Sequence, residues 1–132
     1  LSLTFGGMTF FSAVVAPVVF TRLPPETAGR FIREMFPWYY LTMGVTTLVA
    51  LLAMTAAQHH SLTLEAILTV GVLSGFIFAR QVLMPSINRA RDAELAGQDG
   101  AERRFARLHR TSVLLNGCQW LATLAALVLV LS

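Results

Sequence analysis

Lysine is absent from this chain, and all ten basic residues are arginine. The absence reads as codon bias in a GC-rich genome, although a guanidinium also matches lipid phosphate better than an ammonium does. Charge of either sign is scarce, at 13% of residues, whereas 55% fall in the hydrophobic set; soluble domains average about 25% charged and about 45–50% apolar. That balance excludes an ordinary soluble domain and indicates a polytopic membrane protein. The formal net charge of +3 sits in the segments between apolar runs, so it gives no reason to expect a nucleic-acid partner. A lone Cys118 excludes an internal disulfide and a thiolate metal cluster within one copy. No methionine opens the chain, which starts at Leu1 inside an apolar run, so further residues upstream are expected. That first run lacks a basic n-region in view and a small-residue cleavage pattern before Arg22, which favours a retained span over a signal peptide.

Four apolar runs are present, at about residues 1–20, 36–57, 62–84 and 111–131. Each approaches the ~20 residues that a helix rising ~1.5 Å per residue needs to cross ~30 Å of hydrocarbon. Barrel strands alternate in runs of about ten, so these long continuous runs predict helices. The expected fold is an all-α integral membrane protein, a four-transmembrane-helix antiparallel bundle forming one domain over residues 1–132. Pro37 fits the first turn of the second span, and Trp38, Tyr39 and Tyr40 after it suit the headgroup boundary. Gln58, His59, His60 and Ser61 form a tiny second connection, so spans two and three are expected to be antiparallel neighbours. In the third connection both flanking helices are expected to run past the membrane, with a break at Gly97 to Gly100.

Connections one and three hold nine of the ten arginines and the second holds none. The positive-inside rule then predicts a cytoplasmic location for the first and third connections, with both termini and the His59-His60 turn outside, in a bacterial inner membrane.

Polar residues interrupt the last run in a pattern. His109, Ser112, Asn116, Gln119 and Thr123 recur at three-then-four spacing, so a helix places all five on one side, facing protein and not lipid. One reading is interhelical glue, with each hydrogen bond contributing about 0.6 kcal/mol on average. The sharper reading is a polar cavity for a small ligand near Asn116 and Gln119; a self-association face is a third. Arg80 is the one arginine inside a span, which makes it a functional hypothesis by default. Its place near the cytoplasmic end of span three also permits snorkelling or an interhelical hydrogen bond, and Glu65 on the same helix lies about 22 Å away, too far to pair.

Other features point less sharply. His59 and His60 read as turn residues, and His109 belongs to the opposite membrane face, so a haem held between two histidines of one chain is not expected; a single-ligand or intersubunit haem on His109 stays open. No cofactor or metal is predicted. Met8, Met43, Met54, Met84 and Cys118 are scattered without a repeated spacing and read as core packing, with Cu(I) ligation as the alternative. Arg103, Arg104, Arg107 and Arg110 form a basic lead into span four that suits anionic headgroups. Gly6-Gly7 with Ser12 gives span one a small-residue face for close helix contact.

Residues 5–44 read FGGMTFFSAVVAPVVFTRLPPETAGRFIREMFPWYYLTMG. A Gly-bearing first span, an F-x-x-L-P turn, an Ala28-Gly29 step and Phe36-Pro37-Trp38-Tyr39-Tyr40 follow in order. Ala79-Arg80 with Pro85 comes next, then Leu108-His109 opening an H-x-x-S-x-x-x-N pattern through Ser112 and Asn116. Over nearly its whole length the chain resembles the transmembrane protein 205-like domain. That family carries no settled catalytic residues, substrate or cofactor; the resemblance implies four spans and directs attention to Pro37, Tyr39, Arg80, His109, Ser112 and Asn116. The third connection here is shorter than in the family's animal members, so nothing done by their longer loop transfers.

Three functions from different classes follow. The first is a non-enzymatic four-helix protein whose polar interhelical site, built from Tyr39, Arg80, His109, Ser112, Asn116 and Gln119, binds or helps move a small molecule or lipid. The second is an accessory or scaffold subunit of a larger membrane complex or homo-oligomer. The third is a membrane enzyme or haem protein using His109.

Overall fold

The structure is a computed structural model that describes residues 1–57 and 63–132; the His59-His60 turn lies outside the described residues. Helix α1 runs over Ser2–Arg22 and α3 over Leu64–Leu95, α2 over Pro25–Ala57 and α4 over Ala101–Leu131. All four are long and apolar enough to cross a membrane, and no strand occurs among the described residues. The fold is the expected all-α four-helix one.

One boundary differs from expectation. Helix α2 starts at Pro25, about three turns before residue 36, so Pro37 lies inside the helix and not in its first turn. Hydropathy alone placed the start too late, because the early turns are charged on the outside yet keep an inward stripe. Ala28, Tyr40, Met43 and Thr47 are buried, and Ile32, Met35 and Phe36 half-buried, at helical spacing through the proline. The true break comes earlier: Leu23 is extended (φ −105°, ψ 146°), as a residue before proline prefers, and Pro25 opens α2 where a missing N–H costs little.

Prolines also shape α1 and α3. Each contains one π-helical turn, Phe11–Val15 and Ala79–Leu83, closed by i→i−5 bonds from the Ala16 and Met84 amides. Pro17 and Pro85 follow each turn at the same offset. A proline cannot donate to the ladder and its ring crowds the carbonyl one turn back, and the wider π turn relieves both demands without ending the helix.

At 32 and 31 residues, α3 and α4 would each reach about 47 Å, well beyond ~30 Å of hydrocarbon. Their charged ends project as a helical hairpin. Gly97, at φ 71°, closes α3 with bonds from its own amide to the Glu94 carbonyl and from the Gln98 amide to the Ala93 carbonyl; Gly100, at φ 74°, opens α4. Both angles favour glycine, as the Gly97 to Gly100 break predicts. Arg33 on the projecting part of α2 ties to the hairpin through the Asn88 carbonyl and Asp92. That exposed pair contributes little stability.

The helices pack α1 on α2, α2 on α3, α3 on α4, and α4 back on α1. The centre is filled by Met8, Tyr40, Met43, Val72, Phe76 and Ala79, with Phe36, Tyr39, Met84, Leu115 and Trp120 around them. Two of the scattered methionines, Met8 and Met43, are thus core residues, and Met84 packs against them. Beyond them each helix supplies one fully buried threonine: Thr4, Thr47, Thr69 and Thr123. Three of these return their hydroxyl to a carbonyl one turn back in their own helix. Thr4 bonds across to Thr46 and Thr47.

Candidate functional site

Tyr39, Arg80 and Asn116 stand at one level of the bundle. Each lies about 14 or 15 residues, roughly 21–22 Å of helix, from the charged end of its own helix at Pro25, Leu95 or Ala101. The Tyr39 ring packs 4.7 Å from Phe11 and 5.4 Å from Tyr40, centroid to centroid. Its hydroxyl is buried without a hydrogen-bond partner among the described residues, and so is Oδ1 of Asn116. Thr63 Oγ1 shares that condition but sits at the opposite end, at the start of α3. Buried polar atoms are paired in most proteins because an unpaired one costs about 1–3 kcal/mol, so two at one level call for an explanation.

Arg80 falls within the π turn of α3 and is half-buried. Its Nε donates to the Pro37 carbonyl on α2 at 3.4 Å, a long contact. No carboxylate pairs with it among the described residues.

The five polar residues of α4 do not share one environment. Gln119 and Thr123 are buried, Ser112 and Asn116 half-buried, and His109 exposed. Gln119 donates through Nε2 to the Val72 carbonyl at 3.0 Å. It occupies a notch that exists because residue 75 is glycine: a Cβ there would come 2.8 Å from Nε2 and 3.0 Å from Cδ. Thr123 and Ser112 bond to carbonyls of their own helix. His109 stacks on Phe105 at 5.9 Å, on the projecting hairpin, where a full ring of helices no longer surrounds α4. Helix α1 packs through Ser2–Phe10 on both α2 and α4, and through its last turns, Ala16–Arg22, on α2. The α1 side of α4 is therefore less covered toward the charged end.

Two interface expectations separate. Trp38 is 69% exposed, whereas Tyr40 is buried against Phe76 and belongs to the core. Two helical positions turn a side chain by about 200°, so the pair cannot share a face. Arg103, Arg104, Arg107 and Arg110 are all exposed on the projecting part of α4. Among the described residues no cluster of three His, Cys, Asp or Glu is placed to hold a metal ion. A crevice at the hairpin turn, lined by Glu94, Asp99, Glu102 and Arg103, lies about 20 Å from Arg80 along α3.

Some contributors were missed by sequence reasoning. Trp120 donates its indole N–H to Thr9 Oγ1 at 2.8 Å and packs on Phe5, joining α4 to α1. A tryptophan inside a span needs a partner for its N–H, and that was the available signal. Gly75 carried none, since a glycine that makes room for a side chain resembles one that merely faces lipid.

The family described as Domain of unknown function (DUF4149) matches residues 1–95, and the chain belongs to that family. The match carries that description and not the transmembrane protein 205-like one. No curated protein and no solved structure matches the chain.

Proposed function

We propose that this DUF4149 chain is a non-enzymatic multi-pass membrane protein that binds, or helps move, a small molecule or lipid at an interhelical site formed by Tyr39, Arg80, Ser112 and Asn116. The observation that carries the reading is the pair of buried polar atoms without a partner among the described residues, Tyr39 Oη and Asn116 Oδ1, level with Arg80, which has no carboxylate partner among them. A purely structural core would gain by making both positions apolar. Gln119, already committed to Val72, acts as glue at the edge of the site. The likeness of Pro37, Tyr39, Arg80, Ser112 and Asn116 to the transmembrane protein 205-like motifs supports the location and brings no activity with it.

Tyr39→Phe and Asn116→Leu test this. Each removes a polar atom without a partner, so thermal unfolding in detergent is expected to be unchanged or up to about 1 kcal/mol more favourable to the folded state. Retention of a co-purifying small molecule or lipid in native mass spectrometry is expected to fall. Destabilisation by more than about 1 kcal/mol with retention unchanged would assign both residues to structure instead.

The same reading places the arginine-rich ends in the cytoplasm of a bacterial cell, with Arg103, Arg104, Arg107 and Arg110 against anionic headgroups. A cysteine replacing Gln98 in a Cys118→Ser background should be labelled by a membrane-impermeant maleimide only after the cells are opened. Labelling in intact cells would invert the orientation.

A further inference from the structure

Arg80 narrows the chemistry of the ligand. A guanidinium presents five N–H donors, and among the described residues its hydrogen bond is a long one from Nε to the Pro37 carbonyl. A half-buried cation without a carboxylate partner, inside a helix of membrane-spanning length, is most economically completed by an anion. Tyr39 adds a hydroxyl that can donate to the same oxyanion, while Asn116 Oδ1, an acceptor, matches a hydroxyl on the ligand. Access follows from the packing, since α1 contacts α4 through Ser2–Phe10, while its last turns, Ala16–Arg22, pack on α2. Asn116 lies about 40° around α4 from Trp120, which bonds to Thr9 of α1, and so borders that less covered stretch.

We infer that the site takes an amphiphile with an anionic, hydroxyl-bearing headgroup, its oxyanion held by Arg80 and Tyr39 and its chain lying between α1 and α4. This rests on the interhelical-site reading above.

The test is native mass spectrometry of the full chain with three lipids of identical chains: phosphatidylglycerol, phosphatidylcholine and diacylglycerol. Glycerol phosphate serves as the soluble form of the headgroup. Phosphatidylglycerol is expected to be retained about tenfold better than diacylglycerol, with that preference lost in Arg80→Gln, partly kept in Arg80→Lys and weakened in Asn116→Leu. Equal retention of phosphatidylcholine would remove the requirement for a net anionic headgroup and overturn the inference. Equal retention of diacylglycerol, still lost in Asn116→Leu, would also overturn it while leaving the polar site standing. Full displacement by glycerol phosphate would make the chain dispensable and sink the amphiphile. A preference abolished by Arg103→Gln with Arg107→Gln, but untouched by Arg80→Gln, would move binding to the surface patch. Retention unaffected by any substitution at Tyr39, Arg80 or Asn116 would bring down both the inference and the reading beneath it.

Discussion

Replacing Gly75 by valine is expected to destabilise the bundle by about 3 kcal/mol, by overpacking and by unpairing a buried amide. The added Cβ would approach three successive atoms of Gln119, the nearest at 2.8 Å, so the whole side chain has to move and not merely its tip. Moving it breaks the 3.0 Å bond to the Val72 carbonyl and leaves a buried amide without a partner in an apolar interior. Water is not available there to replace it. The loss falls on the α3–α4 contact, and the check is a double-mutant cycle with Gln119→Ala, read by thermal unfolding in detergent. Gly75→Ala and Gln119→Ala together should restore most of what either costs alone, with a coupling of at least about 1 kcal/mol. Additive costs would show that the notch and the glutamine are independent.

Phe76→Ala is expected to cost about 3 kcal/mol, near the low end of the range for large aromatic truncations. Phe76 is 1% exposed and packs with Met8, Tyr40, Met43 and Val72 where the helices meet. In a membrane the apolar surface is not taken out of water on packing, so the effect comes from lost dispersion contacts and the cavity that remains. Phe78, two positions along the same helix and 47% exposed, provides the contrast. Its truncation should change unfolding by less than about 0.5 kcal/mol, because lipid replaces the ring. Comparable losses at the two positions would contradict the placement of α3.

Legibility differed by feature. The four long helices and the Gly97 to Gly100 break were readable because apolar length and glycine chemistry are local properties. The start of α2 was not read correctly from hydropathy, since Arg30, Arg33 and Glu34 lower the average while Ala28 and Ile32 continue the buried stripe. Periodicity was the better signal there. The polar seam of α4 was visible as a spacing, but spacing could not divide it. Gln119 bonds a neighbouring helix, Asn116 Oδ1 lacks a partner among the described residues, and His109 is exposed, although all three lie within about 80° of one another around the helix. What separates them is depth along the bundle and which helix stands opposite.

Composition and four long apolar runs were enough to fix the class of protein, since they suit a bilayer as solvent. The sequence also determined which residues were candidates, because polar and charged groups are rare enough inside the spans to stand out. Only the tertiary structure decided their roles. A hydrogen bond from Gln119 to Val72, a glycine that makes room for it, and two buried polar atoms left without partners among the described residues are relations between helices distant in sequence. No local pattern encodes them, because a polar side chain in hydrocarbon has a meaning only once its neighbour is known.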